Sequence, residues 1–410
     1  MATVAVSDPS VPSKPQHPLR ESNFRRWWIG NTISLLGDHF YLVAMPWVVL
    51  QLTGSAVAMG TLMMTSSIPR AVLMLMGGAV TDRISPRKVM MTAASARTVL
   101  VTAIGCLVGF HLLALWQLYV LGLCFGVADA FSFPAASAFM PSLVKREQMI
   151  AASSVNQSTA QLAGIAMPAP AGLAIKALGL AWAFFIDAVS FLFILAALWK
   201  LPDPPLTPKG ARKPVWSSIA EGLGYVGKDA PLRTLMLLAA VMNFCLAGSI
   251  SIGLALLTKT RFGSPVAFGT VLSAVAVGSL GGALLAGVWK VRRRGVLILG
   301  VAVVLGVSLG SIGLLPKLWM VSAVLLVMGL SAGVTNVHIA AWIQQRIDQS
   351  LRGRIMSVLM LSVVGLLPIS YAVAGLMAAW SLKGLFVVSG ASLLLVAAIG
   401  AMQKHVRDIE

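Results

Sequence analysis

Five ionisable side chains sit inside long apolar stretches of this sequence: Asp38, Arg70, Arg97, Asp129 and Asp187. Such a group costs roughly 2.5–3.5 kcal/mol to insert at the centre of a membrane helix, so it pairs, lines water or marks an ion or substrate path. Helical rise puts Asp38 ~16 Å past Trp27 and Arg70 ~18 Å before Asp82. Equal depth on consecutive antiparallel helices predicts that Asp38 and Arg70 pair, directly or through water. Asp129 and Arg97, at ~18 Å and ~14 Å on the same count, are expected as a second pair, with Asp187 nearer the far face. These pairs either lock helices together or carry ions. The Asp38–Arg70 pair is assigned to the path, Arg97 and Asp187 to packing, and Asp129 to either role. Burial and a neighbouring arginine push a carboxyl's ionisation in opposite senses. Asp38 is therefore the expected titrating group, and its protonation from outside would release Arg70. Asp38, Arg70, Asp129 and Arg97 form the candidate proton-coupling set.

Uncharged polar residues extend this chemistry. Asn31, Ser34, Asp38 and Tyr41 recur at helical spacing, a polar stripe expected to face the bundle interior. Gln157 and Gln161 share a face with Gly164, Pro168 and Gly172. They would either hydrogen-bond a substrate or bond neighbouring helices together. In the second half Asn243, Phe244, Asn336 and Trp342 are the candidate cavity residues, and no buried acid accompanies them. Such a lining suits an uncharged or amphiphilic guest. His39 and His338 are read as packing residues, as are Met63, Met64, Met74 and Met76. No metal or cofactor is expected.

The elements that position these groups are membrane helices. Of 410 residues, 58% are hydrophobic and 11% charged, against about 25% charged in soluble domains. At about 20 apolar residues per crossing, the chain accommodates twelve spans: 27–51, 56–80, 89–110, 116–140, 151–175, 181–199, 233–257, 266–289, 296–315, 318–341, 355–378 and 383–403. The net charge of +18 concentrates in alternate loops, among them Arg83, Arg87 and Lys88, then Lys145 and Arg146, then Lys290 to Arg294. The opposite side holds Lys176, Lys259, Arg261, Lys317 and Lys383. That asymmetry predicts both termini in the cytoplasm and needs no nucleic-acid partner. Cys106, Cys124 and Cys245 lie in apolar runs with neither disulfide nor metal spacing.

Residues 1–22 are expected as a disordered cytoplasmic tail and 23–200 as a six-helix bundle. Residues 201–231 are expected as a linker, with an amphipathic helix around Trp216, Ile219, Leu223 and Val226 lying on the inner membrane surface. A second bundle over 232–404 and a tail over 405–410 complete the chain. Gly77-Gly78-Ala79 recurs as Gly281-Gly282-Ala283 before a basic loop, and Ser153 matches Ser357 in offset. Such weak repetition between halves is a mark of duplicated transporters. The turn from Gly77 to Lys88 packs Asp82, Arg83, Arg87 and Lys88 at the membrane edge. With Gly78 it is read as an inner gate latch that pairs with the far half, or else as an anchor to anionic headgroups.

Gly78, Asp82, Arg83, Arg87 and Lys88 resemble the signature loop between the second and third helices of the major facilitator superfamily, with Ser85 and Pro86 departing from it. Leu36-Gly37-Asp38, Met45-Pro46-Trp47, Leu52-Thr53-Gly54-Ser55, Phe133-Pro134-Ala135, Glu221-Gly222-Leu223 and Leu351-Arg352-Gly353-Arg354 are similar to the branch of enterobactin exporters and macrolide-efflux proteins. The antiporter signature of the fifth helix is kept at Pro168 and Gly172, while Met167 and Ala171 replace glycines. The arginine that many drug–proton antiporters carry in the fourth helix has no counterpart in Leu121-Gly122-Leu123-Cys124. The resemblance implies an all-α membrane protein of twelve helices in two pseudo-symmetric six-helix bundles. It also implies proton-coupled export of small amphiphilic compounds by alternating access, from a bacterial inner membrane and as a monomer. The alternatives are a lysolipid or metabolite transporter, or a uniporter, of the same fold. An intramembrane enzyme would need a nucleophile–base set or a metal cluster; no His-Glu-x-x-His appears, and only two histidines lie in spans, which disfavours it. No nucleotide-binding P-loop is present. A non-transporting receptor is disfavoured by the near absence of soluble domains.

Overall fold

A computed structural model describes residues 17–204, 215–289, 291, 293–346, 358 and 361–403, with the side chains of 75–83, 215–220, 222 and 343–346 excepted. Among the described residues every regular element is helical. Among those residues eleven helices are long and apolar enough to cross a membrane, and a bent pair, taken as one span, makes twelve.

The first span is Ser22–Thr53, and the second, Ala56–Arg83, follows after a two-residue turn in which Gly54 takes φ 65°. The third and fourth are Pro86–Gly109 and Leu115–Leu143. The fifth is broken: Arg146–Ala166 and Pro168–Leu178 meet at 44°. Pro168 has no N–H to donate, and its ring crowds the carbonyl of Gly164, which bends the helix there. The sixth is Leu180–Trp199. After the helix Val215–Lys228 come the seventh span, Ala230–Phe262, and the eighth, Pro265–Val288. The ninth is Arg294–Ile312, and the tenth reaches from Leu318 to Arg346. The eleventh and twelfth are Leu361–Trp380 and Leu382–Met402. The seventh contains two π-helical turns, Ser249–Gly253 and Thr258–Phe262.

The second and third helices approach each other more closely than expected. The second continues to Arg83, so Asp82 and Arg83 belong to its last turn rather than to a loop, and the third starts at Pro86, leaving only Ile84 and Ser85 between them. Helical hydrogen bonds persist past the apolar run because nothing before Pro86 removes a donor. The helix 215–228 forms where expected, with Val226 buried and Leu223 half exposed. Trp216 and Ile219 carry side chains outside the described set.

The two halves repeat each other. The second span packs on the fourth as the eighth packs on the tenth, and the third on the sixth as the ninth on the twelfth. Glycines allow these crossings by letting backbones touch. A Cβ at Gly126 would strike the Ser66 carbonyl, and one at Gly329 the Val275 carbonyl. Gly329→Val is therefore expected to destabilise the protein by about 1–3 kcal/mol, as overpacking does. Thermal unfolding in detergent would check this, with Gly287→Ala, which meets open space, as the neutral control.

Close crossings between the halves lie at the end remote from the termini. A Cβ at Gly60 would come within 2.9 Å of the Gly375 Cα. Cβ atoms at Gly172 and Gly269 would collide with the carbonyls of Pro265 and Pro168. The Lys259 ammonium donates to the Leu50 carbonyl at the C-terminal end of the first span, a cation placed where a helix carries partial negative charge.

Candidate functional site

Four charges within the spans form one chain across four helices. From the first span Asp38 accepts from the Arg97 guanidinium on the third. Arg97 Nη1 lies 3.8 Å from Asp129 Oδ1 on the fourth. The other oxygen of Asp129 lies 3.1 Å from Arg70 Nε on the second. Two acids and two bases thus alternate, and Asp129 gives one oxygen to each arginine. Arg97 is held from both faces, its Cζ lying 4.2 Å from the Phe191 ring centroid and 5.1 Å from that of Phe125.

The expected partners are exchanged: Asp38 pairs with Arg97, not Arg70, and Arg70 with Asp129. Depth along the helix placed all four between ~14 Å and ~18 Å, so depth could not choose among them. Direction around the helix axis decides, and it follows from packing. The first and third spans both pack on the sixth, while the second packs on the fourth. Arg97, read as a packing residue, is the hub.

Burial is deepest in the middle of the chain and least at its Arg70 end. The Arg97 side chain is 11% exposed and that of Asp129 18%, against 34% for Asp38 and 53% for Arg70. Arg70 is the open end. On the eleventh span, Tyr371 lies within electrostatic reach of Arg70. Asp187, wholly buried on the sixth span, packs with Ser190 against Gly37, where a Cβ would overlap the Ser190 hydroxyl.

Beside Arg97, a cavity of about 60 Å³ is walled in part by Asn31, Ser34 and Ser132. Arg97 Nε is buried and has no protein partner. A cavity of that size has room for ordered water, which would satisfy the free N–H and lead from the ion chain toward the end bearing the termini.

The polar stripe of the first span lands as expected in part. Asn31 Nδ2 donates to Asn156 Oδ1 at 3.2 Å, and the neighbouring Trp28 indole donates to Thr159 Oγ1 at 3.0 Å. Ser34 is buried. Tyr41 stacks on Phe125 with ring centroids 4.4 Å apart, which makes it a wall of the ion chain. Gln157 and Gln161 are exposed on the fifth span. One turn further, a Cβ on Gly164 would lie 3.9 Å from His39 and 4.0 Å from Ala276 of the eighth span, so this helix lies against the second half.

The second-half guesses divide. Asn243 Nδ2 donates to the Val363 carbonyl at 2.6 Å, which commits its amide to a neighbouring helix. Phe244 is half-buried, and its carbonyl accepts from Ser370. Asn336 is exposed. Trp342, at 4% exposure, is packed with Leu232, Leu235 and Val358, where its large ring buries apolar area. His338 also packs, with both ring nitrogens close to the carbonyls of Val334 and Trp289.

Of the latch residues, Arg87 acts within its own half. Its Nε donates to the Leu198 carbonyl at 2.6 Å and Nη2 to Trp199 at 3.1 Å, capping the sixth span, while Nη1 lies 3.3 Å from Asp203. The Ser85 hydroxyl donates to Asp203 at 2.6 Å. This bond, with Arg87 beside it, holds the Asp203 carboxyl below its ordinary value. A depressed folded-state value contributes stability above the unfolded value of about 3.9 and loses it as pH falls. Asp203 is exposed, so Asp203→Asn should cost at most about 1 kcal/mol. The loss should show in thermal unfolding at pH 7 and vanish at acid pH. Lys88 is exposed. The side chains of Asp82 and Arg83 lie outside the described set.

A concavity of about 730 Å³ lies away from this chemistry. It is a groove between the third and fourth spans lined by first-half residues, with Val99 68% exposed, and so runs along the flank of the bundle. Sequence reading missed the Lys259 and Arg261 contacts. The Arg261 guanidinium bonds the carbonyls of Leu315 and Gly313, and the only available signal was two cations closing an apolar span. Among the described residues no cluster of His, Cys, Asp and Glu has the makings of a metal site.

Comparison with known proteins bears on the fold and the family. A family profile described as transmembrane secretion effector matches residues 13–410. Macrolide efflux protein A of Streptococcus pyogenes is 25% identical, with 93% of this chain and 96% of that protein aligned. The enterobactin exporter EntS of Escherichia coli is 24% identical, with 81% and 79% aligned. The crystal structure of a mutant of the nucleoside transporter NupG superposes with a TM-score of 0.76 at 10% identity, covering 93% of this chain and 99% of that one.

Proposed function

The chain belongs to the transmembrane secretion effector family of the major facilitator superfamily, in the branch of the enterobactin exporters and macrolide-efflux proteins, and from that membership we propose that it is a proton-coupled exporter of small amphiphilic molecules. It is a multi-pass membrane transporter and not an enzyme. The observation that carries the finer reading is the charge chain Asp38–Arg97–Asp129–Arg70, which runs from a buried centre to an exposed arginine.

The proposed cycle uses these groups as follows. A proton arriving at Asp38 cancels its charge, and Arg97 turns fully to Asp129. Asp129 then holds Arg70 less tightly, and Arg70 faces the space between the halves. A polar group of the substrate meets Arg70 together with Gln157 and Gln161, while apolar surface receives the rest. Protonation and substrate binding act on one linked set of counter-ions, so the protonation state of Asp38 biases the change of state. The closed crossings at Gly60–Gly375 and Gly172–Gly269 must then part while the opposite end closes on Asp82, Arg83, Arg87 and Lys88. The basic loops support placing both termini in the cytoplasm of a bacterial cell.

The test is transport by purified protein in lipid vesicles under an imposed pH gradient. A dye, a macrolide, a catecholate siderophore and a lysolipid are compared as substrates. Accumulation that follows the gradient for the amphiphilic compounds supports the proposal. Transport indifferent to pH favours the uniport alternative.

A further inference from the structure

Between the first and sixth spans, at the end of the bundle that carries the termini, lies a second cavity of about 250 Å³. Ile29, Ile33, Phe193 and Ala196 line it. Ile29 is 47% exposed and Phe193 50%, so the slot opens sideways rather than toward the space between the halves. Arg26 and Lys200 complete the lining, and both are exposed. Among the described residues no acid lies within ion-pair distance of either, in contrast to Arg87 nearby. Trp199, 76% exposed beside Lys200, is the kind of side chain that sits at a headgroup boundary. Below the slot the two helices touch: a Cβ on Gly30 would lie 2.8 Å from the Ala197 Cβ.

Two unneutralised cations from different helices, standing over an apolar slot that faces the membrane, fit an anion with a hydrocarbon tail. We propose that this cavity binds an anionic phospholipid, its phosphate between Arg26 and Lys200 and an acyl chain along Ile29, Ile33 and Phe193. The membrane supplies such a molecule in excess, and basic pockets between spans take such headgroups. The bound lipid joins the first span, which carries Asp38, to the sixth, which carries Asp187. It braces the first span, which carries one end of the charge chain, against the sixth.

Native mass spectrometry of the full-length protein, released from detergent with added phosphatidylglycerol or phosphatidylcholine of the same chains, tests this. Phosphatidylglycerol is expected to be retained preferentially. Each cation contributes about fivefold, so Arg26→Gln with Lys200→Gln should weaken retention roughly 25-fold. The exchange Arg26→Lys with Lys200→Arg should keep it. Ile33→Phe leaves both cations and fills the slot, and it should also weaken retention. Equal retention of both lipids, an unchanged preference in the neutralised variant, undiminished binding by Ile33→Phe, or displacement of the lipid by inorganic phosphate would each overturn the proposal. If the neutralised variant does not fold, the exchange and Ile33→Phe variants decide it.

Discussion

Asp38→Asn is expected to abolish substrate accumulation driven by a pH gradient while leaving the protein folded. One pH unit is worth about 1.4 kcal/mol per proton, so a one-for-one exchanger sustains about a tenfold substrate ratio. In the variant that ratio should fall to about one. The amide has the shape of the acid and still accepts from Arg97, so the packing of Phe125 and Phe191 on the guanidinium is preserved. What it cannot do is gain or lose a proton. Exchange of substrate for substrate at equal pH, which needs no proton, should therefore persist. Measuring both modes in the same vesicles separates a lost carrier from a lost fold. A variant that still concentrates substrate against the gradient would remove Asp38 from the coupling path, and Asp129, which bridges both arginines, would be the remaining carboxyl of the chain.

The number and order of the helices could be read from the sequence, because a twenty-residue apolar run has one stable arrangement in a bilayer. The stripe Asn31, Ser34, Asp38, Tyr41 was legible for a similar reason: helical periodicity assigns residues to a face without knowledge of what the face meets. Partnership was not legible. Asp38, Arg70, Arg97 and Asp129 share one depth, and the choice among them rests on rotations of helices about their axes, which no single helix encodes. Arg97 is sandwiched by Phe125 and Phe191, from spans whose aromatics are too numerous to single these out beforehand. Trp342 shows the same limit from the other side. Its size and aromatic character suited a cavity wall, yet its neighbours Leu232 and Leu235 lie more than a hundred residues earlier and claim it for the core. The bend at Pro168 was present in the sequence as a proline within a span. What could not be seen was that Gly269 of the eighth span would rest on the Pro168 carbonyl.

Arg97→Leu should have the largest effect on stability, and its combination with Asp38→Leu shows why. Removing the guanidinium leaves Asp38 without the base that faces it and Asp129 with Arg70 alone. Breaking a buried ion pair by deleting one partner costs about 3–5 kcal/mol, because the other charge stays desolvated. Loss of the cation held between two rings adds to this. The single variant is therefore expected to unfold markedly earlier in detergent and to transport nothing. In the double variant the unpaired acid is gone, while Asp129 and Arg70 still neutralise each other at 3.1 Å. Replacing both members of a buried pair by apolar groups is often nearly neutral, so most of the lost stability should return. Gradient-driven accumulation should not, because the proton carrier and its counter-ion are both absent. If stability and accumulation returned together, the chain of charges would be a fastening between helices. If stability failed to return, Arg97 would owe its importance to Phe125, Phe191 and Asp129 more than to Asp38. Restored stability without accumulation is the expected outcome, and it assigns Arg97 to holding the proton site rather than to holding the fold.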